Sequence, residues 1–192
     1  MSQKLNISFY AAKKILLELL NNNKLLEDED IKNKLRERMQ DNAEISNPPA
    51  YTPVVIDAKC KLFFPQYSHE EVKMSYLPKT VYIFFLLHPK GVEFKNMGPY
   101  FDKLYQIYQI VSEEKNIEAQ KIRRSLKNLM EPGNNRIYEI CSVVRRALSK
   151  TLPAELIELY AITGKWGNLH QVKAGRSIID IQHPKLQNIE IE

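Results

Sequence analysis

The chain has 192 residues, is 44% hydrophobic and carries 28 basic against 23 acidic side chains, a formal charge of +5. This bounds it to one well-packed domain with a smaller extension. Its two cysteines, Cys60 and Cys141, sit among apolar residues, which excludes a disulfide framework and points to a reducing, cytoplasmic compartment. The apolar cluster at 15–20 is broken by Glu18, and is too short and too polar for a signal peptide or a membrane span.

The basic excess is local. Between Ala119 and Thr151 eight bases stand against two acids, so this stretch alone has a charge of +6 and the rest of the chain −1. Such a concentration is the footprint of a polyanion partner, although solvated helix faces also carry runs of this kind.

In chain order, Phe9, Ala12, Ile15, Leu16, Leu19 and Leu20 recur at helical spacing over 6–22. A second short helix starts near Asp28 and Asp30, with Ile31, Leu35 and Met39 on one face. This helical pair, residues 1–45, has more apolar surface than two helices bury between themselves. It is expected to pack on the main domain or on a second copy of itself, giving a homodimer. A polar, proline-rich linker at 42–53 follows.

The main domain, residues 52–183, opens with "PVVID", "CKLFF" and "EVKMS", short runs divided by turn residues, which predict an antiparallel meander over 54–75. Pro78 suits the first turn of a helix. "KTVYIFFLLH" is apolar nearly all round and so must be covered on most sides. Pro89 stops it and Gly91 turns the chain. A helix over roughly 97–112 has Tyr100, Leu104, Ile107, Tyr108 and Val111 on one stripe. Another over 116–130 turns Ile122, Leu126, Leu129 and Met130 inward and Arg123, Arg124 and Lys127 outward.

"EPGNN" breaks the chain again, with Asn134 or Asn135 a competent helix cap. Over 134–149, Ile137, Ile140, Cys141, Val144, Ala147 and Leu148 form a continuous apolar face. Asn135, Tyr138, Ser142, Arg145, Arg146 and Ser149 then lie largely outward. After Pro153, "LIELYAIT" and "LHQVKA" flank "GKWGN", which predicts a hairpin with a glycine-bounded tip.

The meander, "LLHPKGVEF" at the end of an apolar helix, "VVRRALS" at 143–149 and the closing hairpin follow one another in an order that resembles the winged-helix effector domain of OmpR/PhoB-type response-regulator transcription factors. The likeness covers about residues 52–181. It implies an α+β winged helix-turn-helix whose 134–149 helix is the recognition helix and whose hairpin is the wing. It further implies a transcriptional regulator that binds double-stranded DNA. Arg145 or Arg146 would reach phosphates, with a solvated, Glu-paired helix end the equal alternative for both, and Asn135, Arg136 or Ser142 would approach base edges in the major groove. Lys165, Trp166 and Asn168 at the wing tip would meet the minor groove or the backbone, with Arg123, Arg124 and Lys127 adding phosphate contacts. For Tyr138, packing over a neighbouring strand is favoured over a base contact. A Trp between glycines at a hairpin tip has little local cover, so Trp166 is expected at an interface.

Three departures accompany the likeness. The 116–130 helix is inserted before the recognition helix, the wing lacks a closing Gly-Tyr pair, and the residues ahead of the linker do not supply a receiver domain. Enzymatic readings find no support. His69, His88, His170 and His183 show neither an H-x-x-x-H nor a Cys/His metal spacing, and no G-x-S-x-G, P-loop or dinucleotide fingerprint occurs. No catalytic residue, metal, cofactor, small-molecule substrate or membrane contact is expected. The competing reading is a protein-interaction or adaptor module on the same scaffold, whose basic face meets an acidic protein.

Overall fold

The structure, a computed structural model, describes residues 18, 28–30, 33, 52–113, 117–131 and 133–189. The chain divides into two units, Met1–Tyr51 and Thr52–Glu192. The expected N-terminal helical pair, and the dimerisation assigned to it, lie outside the described residues apart from single positions. Among the described residues no helix is long and apolar enough to cross a membrane.

The second unit is α+β. Its elements are β1 (Val54–Ile56), β2 (Leu62–Phe63), α1 (Tyr76–Leu87), β3 (Val92–Glu93), α2 (Phe101–Val111) and α3 (Ala119–Met130). They are followed by α4 (Arg136–Leu148), α5 (Ala154–Tyr160), β4 (Thr163–Gly164), β5 (Leu169–Gln171), β6 (Ile179–Ile181) and α6 (Pro184–Gln187).

The expected helix α1 is the hub. Val81 through Leu87 are all at most 1% exposed, which is what a helix apolar on every side requires. Tyr82 donates its hydroxyl to the Tyr160 carbonyl at 3.0 Å, and Tyr160 donates to the Thr52 carbonyl at 2.6 Å. These two buried phenols thereby tie α1, the end of α5 and the entry to β1 together. At the stop, His88 Nδ1 donates to the Phe84 carbonyl at 2.7 Å while its ring stacks on Phe84. Gly91 then takes a φ of +80°, where a side chain would be strained.

The strands form two three-stranded sheets, in the orders β2-β1-β6 and β3-β5-β4. The first corrects the meander expected over 54–75. β1 and β2 are antiparallel as expected, but 71–75 is no strand; it is tied to β2 by the Val72 N–H, which donates to the Leu62 carbonyl at 2.8 Å. The third strand is β6, which runs parallel to β1 with Val54 opposite Ile179. Val54, Ile56, Ile179 and Ile181 all enter the core. In the second sheet β5 pairs antiparallel with both β3 and β4, so a strand directly after α1 anchors the C-terminal hairpin.

The hairpin is shorter than expected. "AELIELY", read as mostly strand, is the helix α5, which buries Leu156, Ile157 and Tyr160. Spacings of one and four put these three on one helical face, and Pro153 with Glu155 provides a helix entry. α3 and α4 bury the expected faces, Ile122, Leu126 and Leu129 on one, and Ile137, Ile140, Val144 and Leu148 on the other.

Candidate nucleic-acid interface

The turn from α3 into α4 is held by one amide. Asn134 Nδ2 donates to the Asn128 carbonyl at 2.7 Å and to Asn128 Oδ1 at 2.9 Å, and its Oδ1 accepts the Arg136 N–H at 3.1 Å. Asn134 thus satisfies an otherwise unpaired helix-start donor. Asn135, at the N-cap position, makes no side-chain cap bond, and its amide faces solvent.

Along α4 the helical period gathers Asn135, Glu139, Ser142, Arg146 and Ser149 on one exposed crest. The bases on this helix differ in availability. Arg136 bonds Glu139 at 2.8 Å, and Arg145 pairs with Glu158 of α5. Arg146 is exposed and has no ion pair among the described residues. Ser142 donates its hydroxyl to the Tyr138 carbonyl at 2.9 Å, so only its lone pairs remain for a partner. Cys141 faces inward, and burial pushes its thiol up to about 12, which leaves it unreactive. Val143, 39% exposed beside this crest, was not anticipated as a surface residue.

Tyr138, read as outward, is half-buried and belongs to an aromatic chain that joins α4 to the hairpin. The Trp166 ring stacks on Tyr138 with centroids 5.0 Å apart and planes 12° from parallel. Tyr138 meets Phe94 edge-on at 5.0 Å, and Phe94 stacks on His170 at 3.7 Å. One face of Trp166 is therefore covered, yet the residue remains 78% exposed, with Leu169 beside it on the hairpin 53% exposed. His170 is buried, and that burial lowers its pKa from the ordinary value. A hydrogen bond to the Asn168 carbonyl at 3.0 Å partly opposes the shift. The bond makes Nδ1 the donor, so the neutral ring carries its proton there. The roles of Phe94 and His170 were not read from sequence.

On α3, Arg123 lies over the Tyr105 ring of α2, 4.6 Å from its centroid. Arg124 and Lys127 are exposed and have no ion pair among the described residues. They border a shallow groove with Gly98 and Phe101. Met130 and Glu131 border both this groove and a second one under the hairpin tip, so the basic edge of α3 and the hairpin meet across the end of α3. Lys165 is exposed at the hairpin tip. Arg145 and Arg146 stand apart from this cluster, about 14 Å further along α4 than Arg136 at 1.5 Å per residue.

Of the eleven residues expected to touch DNA, six have no side-chain partner among the described residues: Arg124, Lys127, Asn135, Arg146, Lys165 and Asn168. Arg123, Arg136, Arg145, Ser142 and Trp166 each have an intramolecular partner. Among the described residues no group of three His, Cys, Asp or Glu side chains lies close enough to hold a metal ion. The chain matches no protein-family model, no curated protein and no solved structure.

Proposed function

We propose that the second unit is a winged-helix DNA-binding domain of the OmpR/PhoB kind, acting as a transcriptional regulator. The observation that carries this reading is the stack of Trp166 on Tyr138, which fixes an exposed hairpin tip to the helix bearing the polar crest. A helix and a hairpin held together in this way can enter a major groove and the adjoining backbone at once. In this reading Arg146, Arg124, Lys127 and Lys165 neutralise phosphates, and Asn135 reads a base edge from the start of the groove-seated helix. Ser142, as an acceptor, suits an amino group of cytosine or adenine. Arg136 and Arg145 contribute less, because each already has a carboxylate partner.

A second reading, an adaptor that binds protein, is favoured by the large exposed apolar surface of Trp166 at the hairpin tip, which phosphates alone would not cover. A mobility-shift assay with nonspecific duplex DNA separates the two. Binding that weakens on the order of 100-fold between ~50 and ~200 mM salt supports the DNA reading, as about four phosphate contacts require. No shift at the lower salt favours the adaptor.

A further inference from the structure

Phosphate contacts leave unused the groove under the hairpin tip. It lies between the hairpin and the turn joining α3 to α4, encloses about 440 Å³, and is bordered by the rings of Phe94, Tyr138, Trp166 and His170. That size and aromatic lining belong to sites for small organic ligands. Such sites also need a few polar groups to fix orientation. Here Asn135, Asn168, Tyr138 and Trp166 border the groove, and the polar groups of their side chains have no hydrogen bond inside the protein among the described residues.

Charge narrows the ligand further. Glu93 is bonded by Asn96 at 2.7 Å and lies 3.5 Å from Lys95, so its charge is largely matched. Glu131 also borders the groove, and Lys95 is the one base among its lining residues. A phosphate or other strong anion is therefore not the group recognised inside it. The lining calls for a flat, largely uncharged ring with donors and acceptors along its edge. Aromatic side chains stack any such ring, and an amide side chain pairs with an adjacent donor and acceptor on its rim.

We propose that this groove binds a nucleobase, stacked on the aromatic surface of Trp166 and Tyr138 and read along its edge by Asn135 and Asn168. The base has two possible sources, a free nucleoside or an unpaired base in a nucleic-acid strand. In the second case the exposed Lys165 at the hairpin tip, and Lys127 and Arg124 on the adjoining groove, are the bases that would meet the flanking phosphates. The proposal goes beyond duplex binding and does not depend on it.

Trp166 is the sole tryptophan of the chain, so tryptophan fluorescence reports on the hairpin tip that borders this groove. The full chain is titrated with adenosine, guanosine, cytidine and thymidine, with ribose as control, and with a short single strand and its abasic counterpart. Saturable quenching by at least one nucleoside, absent with ribose, identifies a free ligand. Saturation by the strand but neither by its abasic counterpart nor by nucleosides identifies a strand base. In either case Asn135→Ala combined with Asn168→Ala should weaken the preferred base at least about fivefold, the lower limit for one lost edge interaction. The unliganded emission should stay unchanged, showing an intact groove. Quenching that never saturates, or that is equal for the abasic strand, overturns the proposal whatever the duplex assay shows.

Discussion

Gly164 and His170 face each other across the hairpin so closely that a Cβ on Gly164 would stand 2.7 Å from Cγ of the imidazole and 2.5 Å from the Leu169 carbonyl oxygen. No real Cβ tolerates either contact, and the carbonyl is backbone that moves only if the hairpin does. The absence of a side chain at 164 therefore lets His170 sit flat on Phe94, and through Phe94 and Tyr138 sets where Trp166 projects. Gly164→Ala is expected to cost about 1–3 kcal/mol, the usual range for overpacking. Thermal melting followed by circular dichroism should show a lower Tm, with a changed Trp166 emission before the transition. Unchanged melting and emission would show that the hairpin is not held by this contact.

The Trp166–Tyr138 stack predicts a local change without unfolding. Aromatic pairs of this geometry are worth about 0.5–1.5 kcal/mol. Tyr138→Ala should lower the steady-state anisotropy of the sole tryptophan while leaving far-UV dichroism intact. Equal anisotropy in both proteins would mean that the stack does not fix the hairpin tip.

His170 gives the hairpin a pH dependence of defined sign. Burial lowers its folded pKa below the ordinary 6.5, so the unfolded chain takes up the proton first as pH falls. Its contribution is fully present above the unfolded value and is lost as pH drops through the lowered folded value. Melting temperature should therefore fall more steeply from neutral to mildly acidic pH in the parent protein than in His170→Gln. The other three histidines are common to both proteins. Parallel pH profiles would exclude His170 as the group responsible.

Much of this fold is legible wherever the deciding interactions are local. The α1 stop follows from Pro89 and Gly91, and the buried faces of α3 and α4 follow from residues three and four apart, such as Ile122, Leu126 and Leu129. The failures are non-local. Nothing near Ile179–Ile181 signals a parallel partner at Val54–Ile56, more than a hundred residues earlier. "LIELY" has the composition of a strand, but its burial against the core and the Tyr160 bond to Thr52 make it a helix. In the site, composition located the bases but not their partners. Glu139 and Glu158 engage Arg136 and Arg145, and only the folded arrangement distinguishes these from Arg146.

That distinction gives the most direct measurement, the salt dependence of duplex DNA affinity for the parent protein and for single alanine replacements. With Arg124, Lys127, Arg146 and Lys165 as phosphate contacts, the slope of log K against log salt should be roughly −3 to −4, at about −0.9 per contact. Replacing any one of these four should flatten the slope by about one unit. Arg136→Ala and Arg145→Ala should change it less, since each removes a base already paired with a carboxylate. No detectable binding at low salt, or a slope unmoved by Arg146→Ala and Lys165→Ala, would contradict the assignment of this surface to DNA.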